Sequence, residues 1–310
     1  MTEYRRILLG GAPVQVTRHG DVLRASDGRE IAIEDAVHLP PTEPQKIIAV
    51  HLNYQSRTDE FMTKLPAAPT YFHKPVTALN SHGGDIVRPA GCQWLNYEGE
   101  IVIVIGKTCR NVSPEEAGDY IAGYTVGNDY GLHDFRDTDA GSMLRVKGSD
   151  TLAPVGPGLV TDWDFRNKTI RTIVNGEVKQ EDSTANMEWD MHYLVADLAR
   201  TITLVPGDMI FSGTPANSRP VNPGDVVEAH HVAPSDRHLH RRQRARRGFG
   251  LQAQADGHPQ RACVGRADLE PHAQGADHVE HRLVRQPVPR AGQRARRDLD
   301  HGDVGRREDL

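Results

Sequence analysis

Two carboxylates two residues apart, Glu98 and Glu100, open the segment LNYEGEIVIVIG at 95–106. The run is rich in β-branched residues and reads as a strand, on which side chains two apart share a face. Glu98 and Glu100 therefore lead into Val102 and Val104 on one side. That is the pattern of a strand that begins in a cleft and runs into a core. Carboxylates paired in a cleft repel each other unless a proton or cation joins them, and hard oxygen donors suit Mg2+, Mn2+ or Ca2+. Taken alone, E-x-E is a weak signal, because charges on a strand usually mark its wet face.

Further candidates lie downstream. The segment YTVGNDYGLHD at 124–134 brings in Asp129 after an extended stretch, and Asp134, Asp137 and Asp139 compete with it as nearby carboxylates. In RVKGSD at 145–150, Arg145 and Lys147 alternate with Leu144 and Val146, so a strand there would put both cations on one face. Charges that protect an edge strand are the bland alternative. Gly213, Thr214 and Pro215 follow the short strand pattern MIFS, where a backbone N–H and the Thr214 hydroxyl can be brought against a ligand oxygen.

The order E-x-E, N-D, R-V-K-G-x-D, G-T-P resembles the fumarylacetoacetate hydrolase family from about Ile47 to Glu228. The resemblance implies an α+β, mostly β fold: a rolled mixed β-sandwich with a small N-terminal β subdomain. It implies one Mg2+ or Mn2+ held by Glu98, Glu100 and Asp129, with Lys147 facing the substrate beside the ion, where a cation stabilises a developing enolate. Lys74, in YFHKP at 71–75, matches the family's aromatic-x-Lys-Pro strand end, and Arg145, Gly213 and Thr214 fall among its substrate-binding positions.

In the family's lid segment a His is followed three residues later by a Glu. Here Glu60 matches, but Arg57 stands in the place of the His. Arginine stays protonated and cannot act as a general base. Arg57 instead suits a second substrate carboxylate, which it can bind bidentately, or pairs with Glu60 and pins the lid. The wording Asn128-Asp129-Tyr130 and Leu144-Arg145-Val146-Lys147 is most similar to the 2-hydroxyhepta-2,4-diene-1,7-dioate isomerase and 5-carboxymethyl-2-oxo-hex-3-ene-1,6-dioate decarboxylase branch. That implies isomerisation or decarboxylation of a 2-oxo or 2-hydroxy-dienoic dicarboxylate in aromatic catabolism of the 4-hydroxyphenylacetate and homoprotocatechuate type. The alternative is C–C hydrolysis of an acylpyruvate, with water activated by Glu60 or the metal. A homodimer is also implied. His73 and His133 read as exposed or partly exposed histidines.

The elements that must position these residues show less plainly. KIIAVHL at 46–52 is a continuous apolar run suited to a strand covered on both faces. Ser113, Pro114 and Glu116 form a capping-box start for a helix that Gly123 would end. Apolar spacing at 191, 194, 195 and 198 predicts a second helix, with His192 off its buried stripe. Turn signals stand at 205–208 and 222–225.

The 310 residues suffice for a buried core, and a net charge of −5 offers no case for nucleic acid. Cys92, Cys109 and Cys263 form no C-x-x-C, which fits a reduced cytoplasm. No signal-peptide pattern or membrane-length apolar run is present. The chain divides into 1–44, the β subdomain; 45–229, the catalytic domain; and 230–310, a tail without Lys, Ile, Asn, Thr, Tyr or Trp. Such a tail is expected to be disordered, because it cannot bury enough apolar surface to offset its ordering entropy. The missing residue types are largely those with AT-rich codons, so a GC-rich gene read out of frame beyond Val227 or Glu228 is a second explanation. On that view the chain is a truncated, inactive family member that lacks its closing strands.

Overall fold

The computed structural model describes residues 1–232 and 249–256. The strand Gly99–Ile105 lies between two antiparallel neighbours, Ile121–Asn128 and Met209–Phe211. Beyond Met209–Phe211 the sheet continues through the parallel strand Ile47–Val50, whose four residues are all buried, as the apolar run predicts. Its next neighbour, Tyr71–Lys74, is antiparallel.

The period of two divides the core between the faces of this sheet. Ile101, Ile103 and Ile105 pack against Met191, Val195 and Leu198. Val102 and Val104, on the side shared with the carboxylates, pack with Phe72, Ala153 and Phe211. The first of these clusters is covered by the helix α3 (Met191–Thr201), which starts where the Asp190 carboxylate accepts the Tyr193 N–H at 2.8 Å. Its buried positions include 191, 194, 195 and 198, the expected stripe, while His192 is half-buried rather than exposed and lies 3.4 Å from the Tyr124 hydroxyl.

Among the described residues the strands form a 13-stranded sheet, a 5-stranded sheet and a two-stranded ribbon. Parallel and antiparallel pairs coexist, so the architecture is mixed and mostly β, as expected. The two larger sheets approach each other at Gly99, where a Cβ would lie 2.1 Å from Thr172 Oγ1 on the strand Thr169–Val174. Only glycine allows that approach, and Glu98 and Glu100 flank the point of contact.

Residues 1–44 form the expected short strands around their own small core of Ile7, Val16, Leu23 and Ala25. They are not set apart from the rest, because Thr2–Leu9 pairs with Gly158–Thr161 and carries the 13-stranded sheet onward.

Three expectations need correction. The capping box at Ser113 forms, with reciprocal backbone-to-side-chain bonds of 3.0 and 3.4 Å to and from Glu116. Only the turn Ala117–Tyr120 follows it, and Gly123 lies within the strand Ile121–Asn128, where a Cβ would sit 2.4 Å from the Val160 carbonyl oxygen. Pairing along Gly99–Ile105 overrides the local helix signal, since one cap cannot sustain a short helix. Residues 144–147 are a single helical turn, not a strand. Finally, the turn at 222–225 launches the strand Val226–Val232, and a strand Phe249–Asp256 lies beyond it. Phe249–Asp256 pairs antiparallel with Val226–Val232 and parallel with Asp85–Val87, so strands exist where the tail composition argued for none. The rest of the expected tail lies outside the described residues.

Candidate active site

Backbone ties bring the carboxylates together. The Asp129 N–H donates to the Glu98 carbonyl at 2.8 Å, and the Asn128 side chain accepts the Glu98 N–H at 2.7 Å. Glu98, Glu100 and Asp129 offer oxygens that all lie within 4.8 Å of one another. Asp134 and Asp139 are held elsewhere: Asp134 accepts the N–H groups of Gln93 and Trp94, and Asp139 accepts Ser142 and the Arg145 N–H.

Three cations close around these carboxylates. Lys147, on α2 (Leu144–Lys147), reaches Glu98 Oε2 at 2.7 Å and Asp129 Oδ2 at 2.8 Å, and also donates to the Asp129 carbonyl at 2.9 Å. Lys74 is fully buried, 2.5 Å from Asp129 Oδ1 and from the Lys147 carbonyl. Arg57, on α1 (Gln55–Glu60), donates Nη2 to Glu98 Oε1 at 2.9 Å and Nη1 to Glu60 Oε2 at 2.6 Å. Of the two partners considered for Arg57, the structure shows the pair with Glu60.

The electrostatics follow from this packing. Burial works against the charge on Glu98, but Lys147 and Arg57 overcome it and hold the carboxyl at about 2. Among the described residues Glu100 makes no ion pair: burial, then the charges of Asp129 and Glu98, push it well above the ordinary range, against a 2.7 Å bond from the Gly213 N–H and the charge of Lys147. Burial disfavours charge on both lysines. Asp129 and Glu98 outweigh that at Lys147, which is raised, whereas Lys74 is lowered. A buried cluster of hard oxygens in which one carboxylate is destabilised by its neighbours fits a divalent cation.

Beside Glu98 and Lys147 lies a small cavity, partly open to solvent, whose wall includes Arg57, Phe61, Phe72, His133 and Arg136. His51 lines it as well. Burial leads the shifts that keep both histidines neutral near pH 7: His133 falls to about 4 and His51 is lowered.

The remaining sequence candidates lie outside the cavity wall. Glu60 is bound by Arg57, by Arg219 and by the Asn217 N–H at 3.1 Å. Burial would raise it, but these partners hold it below its usual value, and it remains an ion-paired carboxylate. Arg145 is exposed. In a helix of 3.6 residues per turn, positions two apart point about 200° away from each other, so Lys147 turns inward and Arg145 outward. The Thr214 hydroxyl donates to the Gly99 carbonyl at 3.0 Å and accepts from Gln180 at 3.1 Å, so it is already engaged within the protein. His73 is exposed, as its strand position suggested. Sequence reasoning passed over His51, Phe61 and Arg136. The Asp134–Asp139 stretch hinted at a loop near the site, but no local pattern marks which of its residues face a cavity.

Known proteins share this fold. Residues 46–245 match the family model described as the fumarylacetoacetate (FAA) hydrolase C-terminal region. The chain belongs to the fumarylacetoacetate hydrolase family. It is 40% identical over 201 residues to the 4-hydroxyphenylacetate degradation bifunctional isomerase/decarboxylase of Salmonella dublin, covering 64% of this chain and 47% of that protein. The chain therefore spans about half the length of that bifunctional relative. Among solved structures, 5-carboxymethyl-2-hydroxymuconate delta-isomerase from Mycobacterium smegmatis superposes with a TM-score of 0.73 at 32% identity, over 83% of this chain and 100% of that one. A 2-hydroxyhepta-2,4-diene-1,7-dioate isomerase from Mycobacterium marinum gives 0.73 at 31% identity, over 84% and 100%. Among the described residues, no helix is long and apolar enough to cross a membrane.

Proposed function

We propose that this protein is a divalent-metal-dependent isomerase or decarboxylase of a 2-oxo or 2-hydroxy-dienoic dicarboxylate. The observation that carries the reading is Lys147, a buried cation on the cavity wall bonded at once to Glu98 and Asp129. Glu98, Glu100 and Asp129 would hold Mg2+ or Mn2+, which when bound supplies Lewis-acid polarisation of the substrate's adjacent carboxylate and keto oxygens. Lys147 adds a fixed positive charge where the enolate oxygen develops.

The chain's own groups then govern the proton. In isomerisation a C–H proton leaves one carbon, the electron pair shifts along the conjugated system, and a proton returns at another carbon. His51 and His133 are neutral, line the cavity and are the groups positioned to carry it. In decarboxylation the C–C bond to the carboxylate breaks, CO2 leaves with its oxygens, and the carbanion takes its proton from water entering at the open side of the site, because a neutral histidine has taken up none to return.

Acylpyruvate hydrolysis needs an activated water, which a side-chain base near residues 57–60 or the metal would supply. Arg57 cannot serve, and Glu60 is tied to Arg57 and Arg219 away from the cavity wall. The test offers 2-hydroxyhepta-2,4-diene-1,7-dioate and an acylpyruvate to the purified protein with and without Mg2+ or Mn2+. Metal-dependent loss of the dienol absorbance without cleavage products is expected. Acylpyruvate cleavage at a comparable rate would overturn the reading in favour of hydrolysis.

A further inference from the structure

Of the cationic side chains on the cavity wall, Lys147 and Arg57 are spent on the protein's own carboxylates. Arg136 is not. Among the described residues its guanidinium forms no hydrogen bond or ion pair; its contact is with the Phe61 ring, 4.5 Å from the ring centroid. It stands on the exposed side of the cavity, immediately after the turn His133–Phe135. Phe61 also carries Arg57, 4.4 Å from its centroid, so the ring at the end of α1 links the lid to Arg136.

We propose that Arg136 selects substrates carrying a second carboxylate and receives that group at the mouth of the cavity. The inference rests on the reading of the site as one for 2-oxo acids. Stacking against an aromatic face fixes the plane of a guanidinium while leaving its edge donors free, the arrangement that binds a carboxylate bidentately. Lys147 and Arg57 are both balanced by Glu98, and His51 and His133 are neutral, so Arg136 supplies the positive charge on this wall that no protein carboxylate offsets. A second substrate carboxylate is one of two sequence readings of Arg57, but both of its terminal nitrogens are already occupied.

A substrate reaching from Glu98 and Lys147 to Arg136 would have its reactive keto acid end deep in the cavity and its distal carboxylate at the rim. Phe61 and Phe72 would flank the carbon chain between them. Because the distal contact is made equally before and during reaction, it acts on binding and leaves turnover of bound substrate unchanged.

The experiment is titration calorimetry in Mg2+ with 2-oxoadipate and 2-oxohexanoate, which share a chain length and differ in the distal carboxylate. The wild type is expected to prefer 2-oxoadipate. Arg136→Gln should cut that preference about tenfold with 2-oxohexanoate affinity unchanged, the scale of a charge-assisted bond at a partly exposed site. Arg136→Lys should restore part of it, and Arg145→Gln, an exposed arginine off the cavity wall, should leave it unaltered. Equal binding of the two acids by the wild type, or a preference that survives Arg136→Gln, overturns the proposal while the reading of the site stands. If neither acid binds in Mg2+, the reading of the site falls and the proposal falls with it.

Discussion

The two halves of the site are held by different means. Glu98, Glu100 and Asp129 sit on or next to strands paired on both sides, and each is almost wholly buried. Arg57, His133, Arg136 and Lys147 come from single turns, joined by residues such as Met62 and Met143 with φ of 51° and 58°. A sheet ladder fixes a side chain through many cooperative bonds, whereas a single helical turn has too few of its own and takes its position from what it touches. The carboxylate half is therefore a rigid template, and in the other half Arg57 and Lys147 are placed by ion pairs to that template. The difference predicts where each half breaks.

Lys147 joins the two halves, so its loss should have the largest effect. Lys147→Met keeps the length of the side chain but removes the charge that faces both the carboxylates and the substrate. Turnover should fall about 10²–10³-fold, the scale for removing one preorganised stabilising donor. A melt run alongside the kinetics separates chemistry from folding. If turnover falls less than tenfold while the protein stays folded, Lys147 does not stabilise the reacting charge.

The rigidity of the template can be tested at Gly99. A methyl group there meets Thr172 Oγ1 at 2.1 Å, where one sheet presses on the other. Gly99→Ala should cost about 1–3 kcal/mol, as overpacking of a tight interior does. The measurement is the urea midpoint of the variant against wild type. An unchanged midpoint would mean that the sheets can part at this contact, and that the template is softer than the loops it is said to place.

Acid should strain the fold outside the cavity as well as within it. His38 and His82 lie with ring centroids 5.3 Å apart. Burial first, then Arg5 for His38 and His38 for His82, lowers each to about 4 from an ordinary 6.5. The unfolded chain thus takes up protons at these groups that the folded chain refuses. Their contribution is full above pH 6.5 and is lost as pH falls toward 4. Allowing for their partial exposure, the pair should account for roughly 1–2 kcal/mol. Replacing both with Gln should flatten the pH dependence of the melting temperature across that window. An unaltered slope would place the acid sensitivity elsewhere.

What could be read from the sequence divides along the same line. The period-two alternation at 98–104 and the buried run at 47–50 pointed to the right faces, because a central strand's geometry follows from its own residue pattern. Asp129 could be chosen over Asp134, Asp137 and Asp139 only through the family resemblance, since which carboxylate meets Glu98 depends on a backbone bond across strands. The lid was legible as Arg57 and Glu60 three apart, but not which carboxylate Arg57 would hold besides Glu60. Arg136 and Phe61 carried no signal, because their meeting joins segments some 75 residues apart in sequence. The strand Phe249–Asp256 was missed because the composition around it argued against any burial.

The smallest effect is expected at Arg145, and it tests the division most directly. Arg145 and Lys147 look equivalent in the sequence, two cations spaced to share a face on a strand. In α2 the same spacing sends them to opposite sides, Lys147 to the carboxylates and Arg145 to solvent. The structural use of position 145 is its backbone N–H, 2.5 Å from Asp139 Oδ2, which any residue but proline supplies. Arg145→Ala should therefore shift stability by less than about 0.5 kcal/mol and leave turnover within about twofold, as surface substitutions do. A loss approaching that of Lys147→Met would mean that residues 144–147 reach the substrate in an extended form when it binds. In that case the cationic half would be rearranged by its ligand and not by the carboxylate template.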